Sequence, residues 1–341
     1  METIAVFSTQ EYDKYFLDKN KVNARYQCQI NYFKVKLTSE SADLAKGAKI
    51  VCVFVNDQVN KEVIDKLYNG GTRLIALRCA GFNNVDLVAA KNKGIKVVRV
   101  PAYSPHAIAE FALGMMIALN RKITIANNRT KESNFSINGL LGFDMHQKTV
   151  GIIGTGKIAK VLIKLLSGFD LRVLAYDVVK DEEFAKKYNV IYTDLETIWS
   201  KSDIISLHCP LNDGTKYIIN KDSISKMKNG VLLVNTGRGP LVNSLDLIEG
   251  IKSGKIGAAA LDVYENESEY FYYDHSNKVL KDDVLSRLLS FKNVIVSSHQ
   301  AYFTYEALTS IATTTLQNID SFLSGEQSVS NTHLTLPTIL R

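Results

Sequence analysis

Proline, cysteine and tryptophan are scarce in this sequence: 5, 4 and 1 of 341 residues. The cysteines (Cys28, Cys52, Cys79, Cys209) show no paired spacing, and only Cys209 has a histidine beside it, His208. This excludes a disulfide-stapled scaffold and a zinc ribbon, and it predicts reduced thiols and no metal site. No apolar run reaches the ~18–20 residues of a membrane span. The most apolar stretch, 107–119, is interrupted by Glu110. The first residues lack the basic segment and cleavage site of a secretory leader, so a cytoplasmic protein without membrane contact is expected. Charge of one sign is also missing. The net charge is only +6 and the basic residues are scattered, which argues against a nucleic-acid partner. With 46% apolar and 22% charged residues, the chain has the composition of a globular protein.

Short apolar runs alternate with helical patterns along the chain. Strands are predicted at 3–8, 28–35, 49–55, 74–78 and 96–100, with helices such as Lys61–Asn69 and 85–93 stopped by Gly70 and Gly94. A second series begins at Lys148, with strands at Thr149–Ile153, Arg172–Tyr176, Val190–Tyr192, 203–208, Val231–Asn235, 256–262 and 293–298. Such alternation means parallel sheets built from βαβ units. The fold class expected is α/β, with two Rossmann- or flavodoxin-like doubly wound domains and a cleft between them. Residues 1–100, completed by 300–326, form the first domain. Residues 101–299 form the second, and 327–341 a loosely held tail. Between the two series, a helix over 106–122 is apolar nearly all the way round (107–109, 111–113, 115–117, 119). A helix apolar on every face needs cover on every face, here a second domain or a second subunit. A homodimer or higher homo-oligomer is therefore expected.

The turn Gly154-Thr155-Gly156-Lys157-Ile158-Ala159 follows an apolar strand and opens a helix. This is the dinucleotide-binding pattern in its required context. Gly154 allows the tight turn, Gly156 lets the backbone approach a pyrophosphate, and Ala159 is small enough for close helix packing. The helix N-terminus offers free N–H groups to the phosphates. Asp177 ends the next strand, where an acid can accept both ribose hydroxyls and repel a 2′-phosphate. The cofactor predicted is NAD rather than NADP.

Three further strands end in chemistry-bearing residues. Arg238 follows Val231–Asn235, Glu267 follows the strand at 256–262, and His299 follows the one at 293–298. Ligands sit at the carboxyl ends of strands in open α/β sheets. Singly, each residue also reads as a surface charge, one acid of the run Glu265, Glu267 and Glu269, or a cap before the last helix. Together they form the set needed to reduce a 2-keto acid. An arginine grips a carboxylate or polarises a carbonyl. A histidine donates a proton, and an acid orients it and favours its charged form.

With these residues in view, the sequence resembles the D-specific 2-hydroxyacid dehydrogenases, and within them the fermentative D-lactate branch. The likeness runs over about 1–325, through 76–86, Val100-Pro101-Ala102-Tyr103-Ser104-Pro105, the glycine turn, Ser206-Leu207-His208-Cys209-Pro210-Leu211, 235–239, 262–267 and His299-Gln300-Ala301. The resemblance implies NADH-dependent reduction of a small 2-keto acid, pyruvate to D-lactate, with Arg238, Glu267 and His299 catalytic. It separates Glu267 from Glu265. It also implies that backbone amides at Ala80 and Gly81 hold the substrate carboxylate, with Tyr103 nearby. Lys157, Ile158, Asp177, Cys209, Pro210, Thr236, Gly237 and Asp262 would line the NAD site together with Gly154, Thr155 and Gly156.

Several readings stay open. His208 serves the cofactor site or is a plain strand-end histidine. Phe54 and Tyr302 wall the substrate or pack the core. The stretch 265–274 covers the site as a loop or is a solvated insertion. The substrate is pyruvate or a bulkier acid (2-ketoisocaproate, phenylpyruvate, giving 2-hydroxyisocaproate or phenyllactate), and a non-catalytic NAD(H)-sensing protein is the alternative outside enzymes.

Overall fold

A computed structural model describes residues 2–325, so the predicted tail at 327–341 lies outside the described residues. The described residues divide into two compact units, 2–104 with 303–325, and 105–302.

Among the described residues, unit 1 holds a five-stranded parallel sheet: β1 (Thr3–Val6), β2 (Gln29–Tyr32), β3 (Ile50–Val53), β4 (Leu74–Leu77) and β5 (Lys96–Val98), in the order β2-β1-β3-β4-β5. This is the flavodoxin-like order, whose switch point lies between β1 and β3. β3 and β4 are buried throughout, as expected of parallel strands covered on both faces. The helix Tyr305–Leu323 returns to this unit and packs on the helix Glu11–Lys21, with Tyr305 edge-on to Phe16.

The carboxyl ends of these strands are tied by one buried cation. Arg78, just past β4 and 2% exposed, donates through Nε to Asp13 at 3.0 Å and through Nη2 to the Ser8 carbonyl at 2.9 Å. Its guanidinium lies 5.0 Å over the Phe54 ring. Asp57 accepts from the Phe54 and Leu37 amides and from the Ser8 hydroxyl, while burial pushes its carboxyl up.

Unit 2 holds a seven-stranded parallel sheet: β6 (Thr149–Ile153), β7 (Arg172–Tyr176), β8 (Val190–Tyr192), β9 (Ile204–Leu207), β10 (Val231–Asn235), β11 (Ile256–Leu261) and β12 (Val294–Val296). Their order is β12-β11-β10-β9-β6-β7-β8. The chain runs outward from β6 to β8, then crosses back to β9, so the switch point lies between β6 and β9. Alternate residues feed two cores. Ile153, Ile205, Leu233 and Leu261 point to one face, and Ile152, Ile204, Val234 and Ala260 to the other.

The apolar helix differs from expectation. It spans Pro105–Asn120, then Lys122 takes the left-handed conformation (φ 51°) and a second helix, Ile123–Lys131, begins. Nor is it buried all round. Ala109, Ala112 and Met116 are buried among the helix Lys157–Leu166 and strands β10 and β11, but Glu110 and Gly114 are exposed and Phe111, Leu113 and Ile117 only half-buried. Most strands are a few residues shorter than their apolar runs, because the run continues past the last ladder partner into the loop. Among the described residues no helix is long and apolar enough to cross a membrane, and none of the four cysteines is in a disulfide.

Removing Asp13 strands the Arg78 charge in the core. Asp13→Ala should cost about 3–5 kcal/mol, read as an early unfolding transition of unit 1 in urea; an unchanged midpoint contradicts the assigned role of the pair.

Candidate active site

Three turns at the carboxyl ends of β10, β11 and β12 build one rim that carries Arg238, Glu267 and His299. In the first, Asn235 is fully buried and shapes the turn with its own side chain: Oδ1 accepts the Gly237 amide at 3.0 Å and Nδ2 donates to the Arg238 carbonyl at 2.9 Å. Arg238 is half-buried, and Nη1 donates to the Gly237 carbonyl at 2.8 Å. Gly239 lets this turn lie directly on the next: a Cβ there would stand 2.1 Å from the Tyr264 carbonyl oxygen.

In the second turn, Glu267 opens a short helix, Glu267–Tyr270, where the sequence suggests only a loop. Its Oε2 accepts the Tyr264 amide at 3.0 Å and its Oε1 meets His299 Nδ1 at 2.8 Å. The two side chains are 21% and 17% exposed, so the pair is shielded from solvent. Glu265 points elsewhere and accepts the Ser244 amide at the start of the helix Ser244–Lys252. Geometry thus separates the acids of this run: Glu267, not Glu265, faces the histidine.

The third turn hangs on Asp262. Its carboxylate is fully buried and accepts from the Ser297 hydroxyl (2.6 Å), the Gln300 amide (2.8 Å) and the Ala301 amide (3.0 Å). Its carbonyl accepts the His299 amide at 2.7 Å. Within this clamp His299 adopts φ 55°, a left-handed conformation costly for a residue with a Cβ. Tyr302, buried, stands edge-on to the imidazole at 6.5 Å between ring centres, and Tyr272 lies on it at 6.1 Å.

The glycine turn sits at the switch point. Gly154 has φ 90°, and a Cβ there would stand 2.5 Å from the Cys209 nitrogen, so β6 and β9 meet through it. Gly156 is different. Its φ is −67° and a Cβ would meet nothing within 4 Å, so protein packing does not demand glycine there. A phosphate approaching the N-terminus of the helix Lys157–Leu166, on which Lys157 and Ile158 are the first residues, does demand it. Thr236 Oγ1 is buried without a partner among the described residues. Both features fit a dinucleotide laid across this edge. Asp177 Oδ2 accepts the Thr155 amide (2.5 Å) and hydroxyl (3.0 Å), and Oδ1 accepts the Val179 amide. Burial pushes its carboxyl up, but these donors outweigh burial and hold it below the usual range. His208 Nε2 lies 2.9 Å from the Ser206 hydroxyl, and burial lowers its imidazole to about 4, which makes it neutral at ordinary pH. Burial likewise pushes the Cys209 thiol up to about 11. Pro210 is exposed beside it.

In unit 1, the Ala80 carbonyl accepts from Arg99 at 2.7 Å and the Gly81 carbonyl from the Cys79 thiol at 3.3 Å. Their N–H groups take no partner among the described residues. Tyr103 is half-buried in the segment after β5, and the Phe54 ring is buried under Arg78, which favours core packing for it. Among the described residues no cluster of His, Cys, Asp or Glu could hold a metal ion.

Residues 113–301 match the family described as D-isomer specific 2-hydroxyacid dehydrogenase, NAD binding domain. The chain belongs to this family. It is an NAD-dependent oxidoreductase of the D-2-hydroxyacid dehydrogenase type, and the cofactor is NAD. It is 49% identical to the D-lactate dehydrogenase of Escherichia coli over 323 residues, covering 95% of this chain and 97% of the relative. Among solved structures, the pyruvate reductase of Chlamydomonas reinhardtii superposes with TM-score 0.90 at 40% identity, covering 96% of this chain and 98% of that one. The D-lactate dehydrogenase of Lactobacillus jensenii with NAD+ superposes with TM-score 0.80 at 32% identity, covering 98% and 99%.

Asn235, Ser297, Tyr272 and the Tyr264 amide are absent from the sequence-based site. Only the strand-end position of Asn235 and Ser297 could have flagged them; the other two depend on how turns meet. Replacing Asp262 by Ala removes the acceptor of the Gln300 and Ala301 amides, and the buried one, at Ala301, is orphaned at about 1–3 kcal/mol. Hydrogen exchange at 299–301 should then quicken by an order of magnitude or more, and unchanged exchange there contradicts the clamp.

Proposed function

We propose that the chain reduces pyruvate to D-lactate with NADH, residues 1–104 with the returning C-terminal helix serving as substrate domain and 105–302 as NAD domain. The observation that carries this reading is the shielded His299–Glu267 pair on the rim next to the Arg238 turn. NADH supplies the hydride when bound. The protein does the rest. Arg238 offers a planar fork to the carboxylate and carbonyl of the 2-keto acid. His299, oriented through Nδ1 by Glu267, presents Nε2 to the carbonyl oxygen and gives it a proton as negative charge develops there. The Ala80 and Gly81 amides, with Tyr103 nearby, take the carboxylate, and Tyr302 forms an apolar wall. Gly154, Thr155, Gly156, Lys157, Ile158, Asp177, His208, Cys209, Pro210, Thr236, Gly237 and Asp262 form the cofactor surface. For Asp262 the support is indirect, since its carboxylate holds the 297–301 segment.

The names of the bacterial and algal relatives support pyruvate over a bulkier 2-keto acid, and the complete Arg–Glu–His set supports an enzyme over a nucleotide sensor. The same reading puts the protein in the cytoplasm as a fermentative enzyme. A panel of 2-keto acids with NADH and chiral product analysis tests it. Pyruvate should give the highest kcat/KM and only the D-product; preference for a branched or aromatic acid overturns the substrate, and no turnover overturns the enzyme. Arg238→Lys should lower kcat/KM for pyruvate by about two orders of magnitude or more with NADH affinity nearly intact, because lysine keeps the charge and loses the fork. Equal losses in both would mean that the cofactor site or fold is damaged.

We also infer a homodimer or higher homo-oligomer. Its support is an apolar groove of about 700 Å³ lined by Phe111, Met115, Leu285, Leu289 and Ile295. The same unit presents Phe135, Ile137 and Leu141 at 76%, 82% and 87% exposure. Apolar groups so displayed mark an association surface. Light scattering should give at least twice the chain mass, and Ile137→Ser with Leu141→Ser should reduce it; a wild-type monomer at micromolar concentration contradicts the inference.

A further inference from the structure

Asp177 stands on a loop that apolar packing does not place. Val178 and Val179 beside it are 88% and 75% exposed. Polar links place it instead, and they form a directed chain. The Asp181 amide donates to Tyr192 Oη at 3.2 Å, Tyr192 donates to Thr155 Oγ1 at 3.0 Å, and Thr155 donates to Asp177 Oδ2 at 3.0 Å. The direction is forced. An ionised carboxylate only accepts, so the Thr155 hydroxyl proton is committed to Asp177 and its oxygen receives from Tyr192. An amide only donates, so the Tyr192 oxygen accepts from Asp181 and its own proton goes to Thr155. Each link polarises the next. Tyr192 closes β8 at the edge of the sheet and thereby joins three segments: the glycine turn, the 177–181 loop and its own strand.

We propose that Tyr192 is a positioning and specificity-determining residue for the dinucleotide, its hydroxyl setting the separation between the glycine turn and the ribose-binding Asp177. This rests on the reading of Asp177 as the ribose acceptor. The glycine turn takes the pyrophosphate and Asp177 the ribose diol, so their spacing must match one nucleotide. The same chain keeps a fixed negative charge where a 2′-phosphate would stand. With the Tyr192 hydroxyl removed, the Thr155 hydroxyl loses its donor and the Asp181 amide its acceptor; the Lys160–Asp181 pair and the Thr155 and Val179 amides still hold the loop, but its spacing from the glycine turn is less fixed, so both affinity and discrimination fall.

The test is direct cofactor binding by the purified protein without substrate, followed by NADH fluorescence, with NADPH in parallel and kcat at saturating NADH. Tyr192→Phe keeps the ring and should weaken NADH binding about fivefold, the scale of one hydrogen bond. It should narrow the NADH/NADPH preference and leave kcat at saturation within about twofold. Thr155→Val should act in the same direction. The double variant should bind no more weakly than Thr155→Val alone, because Tyr192 acts through that hydroxyl. Thr155→Ser, which retains the hydroxyl, should bind like wild type. Unchanged NADH affinity in Tyr192→Phe, or losses in the two single variants that simply add, overturns the proposal. Asp177→Ala separates the two levels. If it weakens NADH while Tyr192→Phe does not, only this inference falls; if it too binds NADH normally, the ribose assignment falls and this inference with it.

Discussion

One buried carboxylate organises the rim that carries His299. Asp262 follows β11 inside the protein, where an unpaired polar group is expensive, and its carboxylate is satisfied by drawing in the segment that follows β12. Three donors from Ser297, Gln300 and Ala301 fix both flanks of His299, and the Asp262 carbonyl fixes its amide. The left-handed backbone at His299 follows from this clamp, and the clamp brings the imidazole to Glu267. A side chain that looks like one more strand-end acid in the sequence thus sets where the His299 imidazole stands.

Close approach is the second constraint. Gly154 lets β6 and β9 meet at the switch point, and Gly239 lets the Arg238 turn rest on the turn that carries Glu267. Both are places where a Cβ would collide with backbone, so the site geometry depends on what these residues lack. Gly156 has the opposite signature, space with no protein neighbour, which fits an anion at the N-terminus of the helix Lys157–Leu166.

Much of this is legible in the sequence, and the reasons are local. The strands announce themselves because parallel strands buried on both faces read as continuous apolar runs, and the glycine turn sits in its strand–turn–helix context. Arg238, Glu267 and His299 stand out because each follows such a strand. The break at Lys122 is less visible, since a lysine in a left-handed turn has no mark of its own in the sequence. The residues alone leave Glu267 and Glu265 alike and the resemblance singles out Glu267; the physical reason lies in the tertiary partners of each, the His299 ring and the Ser244 amide. The chain through Tyr192 is hidden for the same reason: it joins residues from three segments, and nothing at Tyr192 distinguishes it from any other aromatic residue at a strand end.

The central claim is that the Asp262 clamp places His299 against Glu267. Long-range proton–nitrogen NMR of the histidine rings tests it most directly, because it reads which nitrogen carries the hydrogen-bonded proton. The wild type should show a protected Nδ1 proton on His299, and that signal should vanish in Glu267→Ala and also in Asp262→Ala. A signal that survives in Asp262→Ala would contradict the account, since His299 would then hold its place without the clamp.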